Sequence, residues 1–292
     1  MFVQQLINGL TLGSTYALVA IGYSMVFGIL QLINFANGSM YMLGAYVSLM
    51  LYLAMNGQFW IAFGASVLVV GAVGYGMDRF ALRPLRKKKA PRLAGLISTM
   101  GVSIFLENFI MLFFGSEAKP FPNMIDFGKF EFAGAIVHWT QVIIFLVAVV
   151  LMVLLSIIVY RTKFGKAMRA TSQNTDAARL MGINVPSVIS VTFIISGALA
   201  AVAGVLVSMY YQSIDVSMGL SVGMKTFASA VLGGIGILPG AMVGGLAVGV
   251  IETIGASYID SGYRNAIAFV ILILVLIFKP TGLFGKKKMT KV

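Results

Sequence analysis

The succession of long apolar runs along this chain limits its fold more than any other feature of the sequence. Each run approaches the ~20 residues that a helix needs to cross the hydrocarbon core of a bilayer. The predicted spans cover residues 6–32, 39–56, 59–82, 93–114, 139–160, 188–212 and 264–279, with a further interrupted run over 222–257. The sequence therefore predicts an all-α, polytopic transmembrane helical bundle of about eight or nine spans, forming one domain over residues 1–292.

The composition excludes soluble proteins and most kinds of catalytic site. Apolar residues make up 59% of the chain and charged residues 10%, whereas a soluble domain averages about 45–50% and about 25%. The polar side chains are therefore too few to cover a water-soluble globule. The chain has no cysteine and one histidine, His138. Disulfides and cysteine nucleophiles are excluded, and we expect no metal site and no Ser-His-Asp enzyme.

Positive charge is concentrated in three segments, and this distribution predicts the orientation of the chain. The three segments hold 17 of the 21 Lys and Arg residues and only two acids, Asp78 and Asp176. Because basic loops stay cytoplasmic, we expect the N-terminus outside and the C-terminus in the cytoplasm. No basic region precedes the first apolar run, so we expect a retained first helix rather than a cleaved signal peptide. The basic residues are Arg79, Arg83, Arg86, Lys87, Lys88, Lys89, Arg92, Arg161, Lys163, Lys166, Arg169, Arg179, Lys279, Lys286, Lys287, Lys288 and Lys291.

Two interruptions divide the apolar runs. The run over 222–257 must leave the outer face and return to it, because both of its flanks are predicted to be outside. Glycines divide this run, which predicts two short helices arranged as a full hairpin or as a re-entrant pair. These glycines are Gly233, Gly234, Gly236 and Gly240. The segment 33–39 interrupts the first apolar stretch in the same way, which indicates either an ordinary loop or, as a hypothesis, an inverted repeat with a substrate path of broken helices.

Small residues recur every four positions on three of the predicted helices. Within a membrane such stripes let helix backbones approach closely and gain dispersion contacts. They therefore predict a compact bundle or a subunit interface, and they do not indicate an activity. The stripes are Gly9, Gly13 and Ala17; Ser196, Ala200, Gly204 and Ser208; and Gly236, Gly240 and Gly244.

The predicted cytoplasmic segment 161–187 is too long and too patterned for a plain connector. Asn174 or Thr175 can cap a short helix that has an acid in its first turn, and Gly182 supplies a left-handed stop. Such a helix can insert into a groove on a soluble partner or rest on lipid headgroups. The residues of this predicted element are Thr175, Asp176, Ala177, Ala178, Arg179, Leu180, Met181 and Gly182, with Ala177, Leu180 and Met181 forming its apolar face.

Three ionisable residues lie inside apolar runs: Glu107, Lys225 and Glu252. A charge near the bilayer centre costs about 2.5–3.5 kcal/mol on insertion scales, so each of these side chains should face protein or water. Lys225 either snorkels to the outer face or pairs with Glu252, whereas Glu107 either lines a path or is structural. The residues that we expect along a translocation path are Asn34, Asn37, Tyr41, Glu107 and Asn108.

Several stretches of sequence, in the same order, are similar to one known family. They are NGLTLGSTYAL at 8–18, INFANGSMYMLGAY at 33–46, GKAMRA at 165–170 with AARLMGIN at 177–184, SGALAAVAG at 196–204, and AVLGGIG at 230–236 followed by Pro239, Gly240 and Ala241. Over nearly the whole chain they resemble the LivH-type permease subunit of branched-chain amino acid ABC importers. Family members commonly have histidine at the position of Asn37 and, in many cases, a neutral amide at that of Glu107.

The resemblance implies a multi-pass subunit of a heteromeric importer in the bacterial cytoplasmic (inner) membrane. A second homologous permease or a second copy of this chain completes the path. Two ATP-binding subunits dock on cytoplasmic coupling helices, and an extracytoplasmic binding protein delivers the amino acid. No nucleic acid is an expected partner. Carried onto this chain, the coupling element is Thr175 to Gly182.

The sequence lacks the phosphate-binding loop of an ATPase. That loop reads G-x-x-x-x-G-K-[ST], and its amides cradle the phosphates. The Gly-Lys pairs at 165–166 and 285–286 lack the upstream glycine and the following Ser or Thr. We therefore expect no cofactor in this chain and expect partner subunits to bind ATP and Mg²⁺.

Two classes of function are compatible with the sequence. The first is a permease subunit of an ABC importer for leucine, isoleucine and valine, for other amino acids, or for urea-like amides. The second is an ion-coupled secondary transporter or channel in which Glu107 and Glu252 bind ions. The second class explains the intramembrane acids but gives no reason for the patterned cytoplasmic segment. An intramembrane enzyme is disfavoured, because no acid–base pair accompanies His138.

Overall fold

Helices dominate the computed structural model, which describes residues 2–122, 128–132, 134–279 and 281–285. The helices in chain order are α1 (Phe2–Leu30), α2 (Ala36–Ala54), α3 (Phe59–Gly76), α4 (Arg83–Lys87), α5 (Arg92–Phe114), α6 (Trp139–Arg161), α7 (Lys163–Gln173), α8 (Thr175–Leu180), α9 (Val185–Tyr211), α10 (Met218–Gly233), α11 (Leu238–Tyr258) and α12 (Arg264–Phe278). A π-helical turn, Met77–Leu82, joins α3 to α4, and a 3₁₀ turn, Ser261–Tyr263, precedes α12. The predicted cytoplasmic residues Lys286, Lys287, Lys288 and Lys291 lie outside the described residues.

The described residues hold nine helical stretches of 15 residues or more, which confirms the predicted helical, polytopic architecture. Six of them are long and apolar enough to cross a membrane: α1, the continuous stretch Phe59–Lys87, α5, α6, α9 and α11. Helices α2, α10 and α12 are shorter or less apolar and complete the set. The boundaries differ from the predicted spans mainly at the ends. For example, α1 begins at Phe2 rather than at residue 6, and α9 begins at Val185 rather than at residue 188.

The described parts of the three basic segments lie at one end of the bundle. A cavity at this end is lined by Leu30 at the end of α1, by Arg83 of the first basic segment and by Arg179 of the second. Of the third basic segment the structure describes Lys279 and residues 281–285; the backbone N–H groups of residues 283 and 284 donate to the carbonyls of residues 232 and 233 at this end. This arrangement is consistent with the prediction that the basic segments all lie on the same side of the membrane.

Close glycine contacts hold the most extensive helix pair, α1 with α11. A Cβ atom added at Gly9 would lie 2.7 Å from the Cα of Val250, and one added at Gly13 would lie 2.8 Å from the carbonyl oxygen of Leu246. Gly245 and Gly249 of α11 meet the α1 backbone in the same way. The small residues of α1 thus let two backbones pack inside this chain.

Helices α10 and α11 form a full hairpin across the bundle. Helix α10 begins shortly after the strand Ser213–Ile214, and its Met218 N–H donates to the Asp215 carbonyl at 3.2 Å. The hairpin turn lies at the opposite end, because Gly236 packs against Gly28 near the end of α1. Of the two predicted arrangements, the hairpin is correct and the re-entrant pair is not.

The interruption near residue 33 is a short connection between two crossings. Helix α1 ends at Leu30, Gln31 adopts a left-handed φ of 51°, and α2 begins at Ala36. The Asn34 side chain accepts a hydrogen bond from the Ala36 N–H at 3.2 Å, which satisfies one free donor at the start of α2. The connection is therefore built as an ordinary loop between spans.

Short strands lie at the opposite end of the bundle from the basic segments, and we call this end the outer end. Strands β2 (Lys129–Phe132) and β3 (Ala135–His138) pair as an antiparallel hairpin, and β1 (Lys119–Pro120) pairs with β4 (Ser213–Ile214). At the start of α6, the His138 side chain and the Gln141 side chain form a reciprocal capping box. His138 thus has a structural role at the start of a helix.

Candidate functional site

The segment between α6 and α9, which is predicted to be cytoplasmic, folds into two short helices. The Thr162 hydroxyl caps α7 by accepting from the Gly165 N–H at 3.1 Å. The Asn174 side chain caps α8 by accepting from the N–H groups of Asp176 and Ala177, both at 3.0 Å. Gly182 follows α8 with a φ of +82°, the left-handed conformation that ends helices. The sequence predicted the helix at Thr175 with its cap and its stop, but it did not predict α7.

Helix α8 presents apolar side chains to its surroundings and buries a small one. Ala178 is the buried residue of this helix, whereas Leu180 and Met181 are 89% and 82% exposed. Ala177 is exposed beside them, so the predicted apolar face is present on the free side of the helix. These two neighbouring, large and exposed apolar side chains form a small surface that a partner can cover.

A basic groove lies between α8 and the end of the first basic segment. It encloses about 250 Å³ and is lined by Arg83, Arg86, Lys87, Thr175 and Arg179, together with apolar residues of α1 and α9. Four cations around one small groove create a positive potential there. The groove brings together two basic segments that are far apart in the sequence.

Asp78 anchors the π-helical turn beneath this groove. Its side chain is fully buried; Oδ1 pairs with the Arg86 guanidinium at 2.5 Å, and Oδ2 accepts from the Ser190 hydroxyl of α9 at 2.5 Å. A buried carboxylate needs such partners, because an uncompensated charge costs several kcal/mol. Asp78 therefore ties the first basic segment to α9, which follows the predicted coupling element Thr175 to Gly182.

Glu107 and Asn108 lie on α5, a helix with little of its surface buried. The Glu107 carboxylate accepts hydrogen bonds from the hydroxyls of Ser39 at 3.0 Å and Ser103 at 3.3 Å. Asn108 is exposed and donates to the Ile104 carbonyl at 2.8 Å. The described salt bridges do not include Glu107. A half-exposed carboxylate at membrane depth should face water or protein rather than lipid.

The remaining predicted path residues occupy other places. Asn37 is fully buried, donates to the Val19 carbonyl at 3.3 Å and accepts from the Ser196 hydroxyl at 2.9 Å, so it joins α1, α2 and α9. Asn34 is buried at the start of α2. Tyr41 lines a cavity near the outer end. The structure thus separates the five predicted path residues into a packed core, the face of α5 and the wall of a cavity.

Lys225 and Glu252 form a buried ion pair within the α10–α11 hairpin. The Lys225 Nζ lies 2.8 Å from the Glu252 Oε1, and the two side chains are 7% and 1% exposed. Arg264 lies 3.7 Å from the same oxygen, and the Tyr16 hydroxyl donates to it at 3.4 Å. The predicted pairing is therefore present, and Lys225 does not snorkel to the outer surface. Two cations share one carboxylate, so the cluster carries a net positive charge.

A cavity of about 370 Å³ lies beside this cluster and opens toward the outer end. Lys225 and Arg264 line it from the cluster, and Asp215 lines it from the loop that follows β4. Tyrosines, serines and apolar side chains form the remaining walls. The volume is within the range of small-molecule pockets, which is about 300–1,000 Å³.

The glycines of the hairpin turn serve close packing and turn geometry. Gly234 and Gly236 have φ values of +107° and +88°, which side-chain-bearing residues rarely adopt. Gly233 and Gly240 face each other so closely that neither position has room for a Cβ atom. These residues fix the shape of the hairpin, and they are distant from the outer cavity.

Sequence reasoning missed three features of these sites. Arg264 was not assigned to the ion-pair cluster, although its position at the start of the last apolar run could have indicated it. Asp78 was noted only as an acid among basic residues, and its bond to Ser190 spans 112 positions. Helix α7 has no apolar run to mark it. Within the described residues, no group of three or more His, Cys, Asp or Glu side chains could hold a metal ion.

Comparison with known proteins identifies the family of the chain. The family described as "Branched-chain amino acid transport system / permease component" matches residues 5–276. The chain is 45% identical to the high-affinity branched-chain amino acid transport system permease protein BraD of Pseudomonas aeruginosa, over 100% of this chain and 98% of that protein. It is 42% identical to the corresponding permease protein LivH of Escherichia coli K12 with the same coverage. It is also 30% identical to a probable LivH of Methanocaldococcus jannaschii, over 92% of this chain and 88% of that protein. These full-length matches agree with the helical bundle described above, and the chain belongs to the family of branched-chain amino acid transport permeases.

Proposed function

We propose that this chain is the membrane-spanning subunit of an ABC importer and forms the path for branched-chain or related hydrophobic amino acids. The substrate class is supported by full-length similarity to proteins named as branched-chain amino acid permeases. In this proposal the chain itself binds neither ATP nor Mg²⁺. A partner ATPase hydrolyses ATP, because this sequence lacks the phosphate-binding loop.

The observation that carries the coupling step is the exposure of Leu180 and Met181 on a capped helix at the basic end of the bundle. Short helices that present apolar anchors dock into grooves on partner proteins. The basic groove beside α8 adds a positive potential that favours an acidic partner surface. We propose that the element from Thr175 to Gly182 is the contact for the ATPase.

The half-exposed Glu107 and the exposed Asn108 support a second permease subunit. Polar groups on the outside of a bundle at membrane depth are expensive to leave against lipid. A homologous permease, or a second copy of this chain, would cover this face and enclose a polar path between the two subunits. An extracytoplasmic binding protein would deliver the amino acid to the opposite end from the ATPase.

We propose the bacterial inner membrane as the location, with the N-terminus outside and the C-terminus cytoplasmic. The clustering of basic residues at one end of the bundle supports this orientation. The chain has no cysteine, so single cysteines introduced as Gln173→Cys and Glu117→Cys can be labelled individually. In intact spheroplasts, a membrane-impermeant maleimide should label the cysteine at 117 at once and the cysteine at 173 only after permeabilisation. The reverse pattern would contradict the orientation.

Uptake by a reconstituted transporter tests the proposed function. This chain, its second permease and the ATPase are placed in liposomes with ATP inside, and the binding protein with radiolabelled leucine, isoleucine or valine is added outside. We expect uptake that requires every component and stops when ATP is replaced by a non-hydrolysable analogue. Uptake by this chain alone, driven by a proton or sodium gradient, would instead show an ion-coupled transporter.

A further inference from the structure

Beside tyrosines and serines, the outer cavity is lined by cationic, acidic and apolar groups. Its cationic wall is formed by Lys225 and Arg264, and its acidic rim is formed by Asp215. The apolar wall includes Val207, Met218 and Val222. A zwitterionic amino acid with an apolar side chain also has three parts: a carboxylate, an ammonium group and a hydrocarbon group. The cavity therefore offers a complementary surface to each part of such a molecule.

The cationic wall retains capacity for a second anion. Lys225 and Arg264 both face Oε1 of Glu252, at 2.8 and 3.7 Å, so a single carboxylate serves two cations. The Nε of Arg264 is the atom that lies 3.7 Å from Glu252 Oε1, which is too far for a hydrogen bond, and the same guanidinium donates from Nη1 to the Tyr211 hydroxyl at 2.8 Å. Guanidinium groups bind carboxylates through charge-assisted hydrogen bonds. One of the five N–H donors of this guanidinium makes a described hydrogen bond, so Arg264 can still donate to an incoming carboxylate.

A second polar group of the cavity also lacks a partner. Tyr41 is fully buried and lines the cavity, and its hydroxyl makes no hydrogen bond to the described residues. Buried hydroxyls are normally hydrogen-bonded, because an unsatisfied one is costly. This unpaired hydroxyl is a further donor for the carboxylate. Asp215 already accepts from the Ser217 N–H at 2.6 Å, and a carboxylate has further lone pairs for an ammonium group.

We propose that this cavity binds the transported α-amino acid near the outer end of the permease. Arg264, Lys225 and the Tyr41 hydroxyl hold its carboxylate, Asp215 holds its ammonium group, and the apolar wall receives its side chain. This inference rests on the proposed function and adds to it a defined site for the substrate in this chain. Selectivity for the α-amino acid group would then exist in the permease as well as in the binding protein.

Two tyrosine variants on α2 provide a matched test. Tyr41→Phe removes the hydroxyl that lines the cavity. Tyr46→Phe removes another fully buried hydroxyl that has no hydrogen-bond partner in the described residues and that is not part of the cavity wall. Neither change breaks a described hydrogen bond, so both variants should melt at or above the wild-type temperature. In the reconstituted transporter, Tyr41→Phe should lower leucine uptake about three- to tenfold, the value of one hydrogen bond, while Tyr46→Phe stays within about twofold. Equal uptake by the two variants would overturn the proposal.

Direct binding tests which groups of the amino acid are recognised. The complete transporter without binding protein is placed in nanodiscs of phosphatidylcholine and phosphatidylglycerol, so that no ethanolamine lipid offers a competing zwitterion. Radiolabelled leucine should bind, and leucinamide and 4-methylpentanoate, which lack the carboxylate and the ammonium group respectively, should compete at least about tenfold less well than leucine, since each loses a charge-assisted contact. Arg264→Gln should weaken leucine binding by at least the same factor, and Arg264→Lys should restore part of it.

The outcomes separate this site from the proposed function. Competition by both analogues at the level of leucine, or the absence of leucine binding to the wild-type transporter, would overturn the site. ATP-driven leucine uptake that Tyr41→Phe and Arg264→Gln leave unchanged would also overturn it, and the importer function would stand. If the wild-type transporter takes up none of leucine, isoleucine and valine, both the proposed importer function and the site are wrong.

Discussion

The exposed pair of Leu180 and Met181 gives the most direct test of how this permease engages a soluble partner. Replacing both residues with alanine removes two large apolar side chains and keeps a residue that favours helices. Because the side chains are 89% and 82% exposed in the chain, their loss should change its own stability by no more than about 0.5 kcal/mol. Any large effect must then arise in the complex.

The size of that effect follows from the area that docking would cover. Burying an exposed Leu or Met side chain contributes about 1.5–3 kcal/mol, so the nearly complete exposure of both gives about 3–5 kcal/mol for the pair. If water enters the groove on the ATPase after the truncation, the loss of binding free energy lies at the lower end of this range. A loss of about 3 kcal/mol corresponds to an affinity roughly 100-fold weaker.

The affinity can be measured by titrating a labelled ATPase subunit onto the permease in nanodiscs. The matched control is the double variant Lys163→Ala with Gln173→Ala, which removes two exposed polar side chains from α7 in the same cytoplasmic segment. We expect a roughly 100-fold higher Kd for the α8 variant, a much smaller change for the control and unchanged melting temperatures for both permeases. An α8 variant that binds the ATPase as tightly as the wild type would refute the docking role of α8.

Three further results are expected. Gly13→Ala should lower the melting temperature through a clash worth about 1–3 kcal/mol, because the new Cβ would lie 2.8 Å from the Leu246 carbonyl oxygen. The control Gly101→Ala, whose Cβ would have no atom within 4 Å, should be neutral or stabilising. Equal melting temperatures of the two variants would contradict the packing of α1 against α11. Asn174→Ala should cost α8 about 1 kcal/mol by removing its cap, seen as faster amide exchange over α8, whereas unchanged exchange would argue against the cap. Glu107→Gln should reduce transport only modestly, because an amide still accepts from two serines; complete loss of uptake together with loss of its pH dependence would favour ion coupling instead.

Local signals predicted the cytoplasmic element well. Asn174 and Gly182 act on the backbone within a few residues of themselves, so the start and the stop of α8 could be inferred from the sequence. The glycines at 233–236 predicted the break between α10 and α11 for the same reason. Whether that break lay at mid-depth or at the far end of the bundle depended on its contact with Gly28, which no local pattern encodes.

Contacts between distant elements could not be predicted in the same way. Small residues at Gly9 and Gly13 indicated close packing, but not that α11 is the partner. The ion-pair cluster joins residues of α1, α10, α11 and α12, and Arg264 has no sequence motif that connects it to Glu252. The inverted repeat stays a hypothesis.

The link between α8 and α9 is only four residues long, and this length affects how a movement of the proposed ATPase would be transmitted to the bundle. Ile183 donates to the Ala178 carbonyl at 3.0 Å, and the Asn184 side chain accepts from the Ser187 N–H at 3.2 Å, so hydrogen bonds hold both sides of the link. These bonds restrict the movement of α8 relative to α9, so a displacement of α8 should also displace α9. A rigid shift of α9 would be relayed about 17 Å along its axis to Ser196, whose bond to Asn37 joins three crossings at one point. In the proposed importer, an ATP-driven movement of α8 would thus be transmitted through a hydrogen-bonded link and a continuous helix to the buried centre of the bundle.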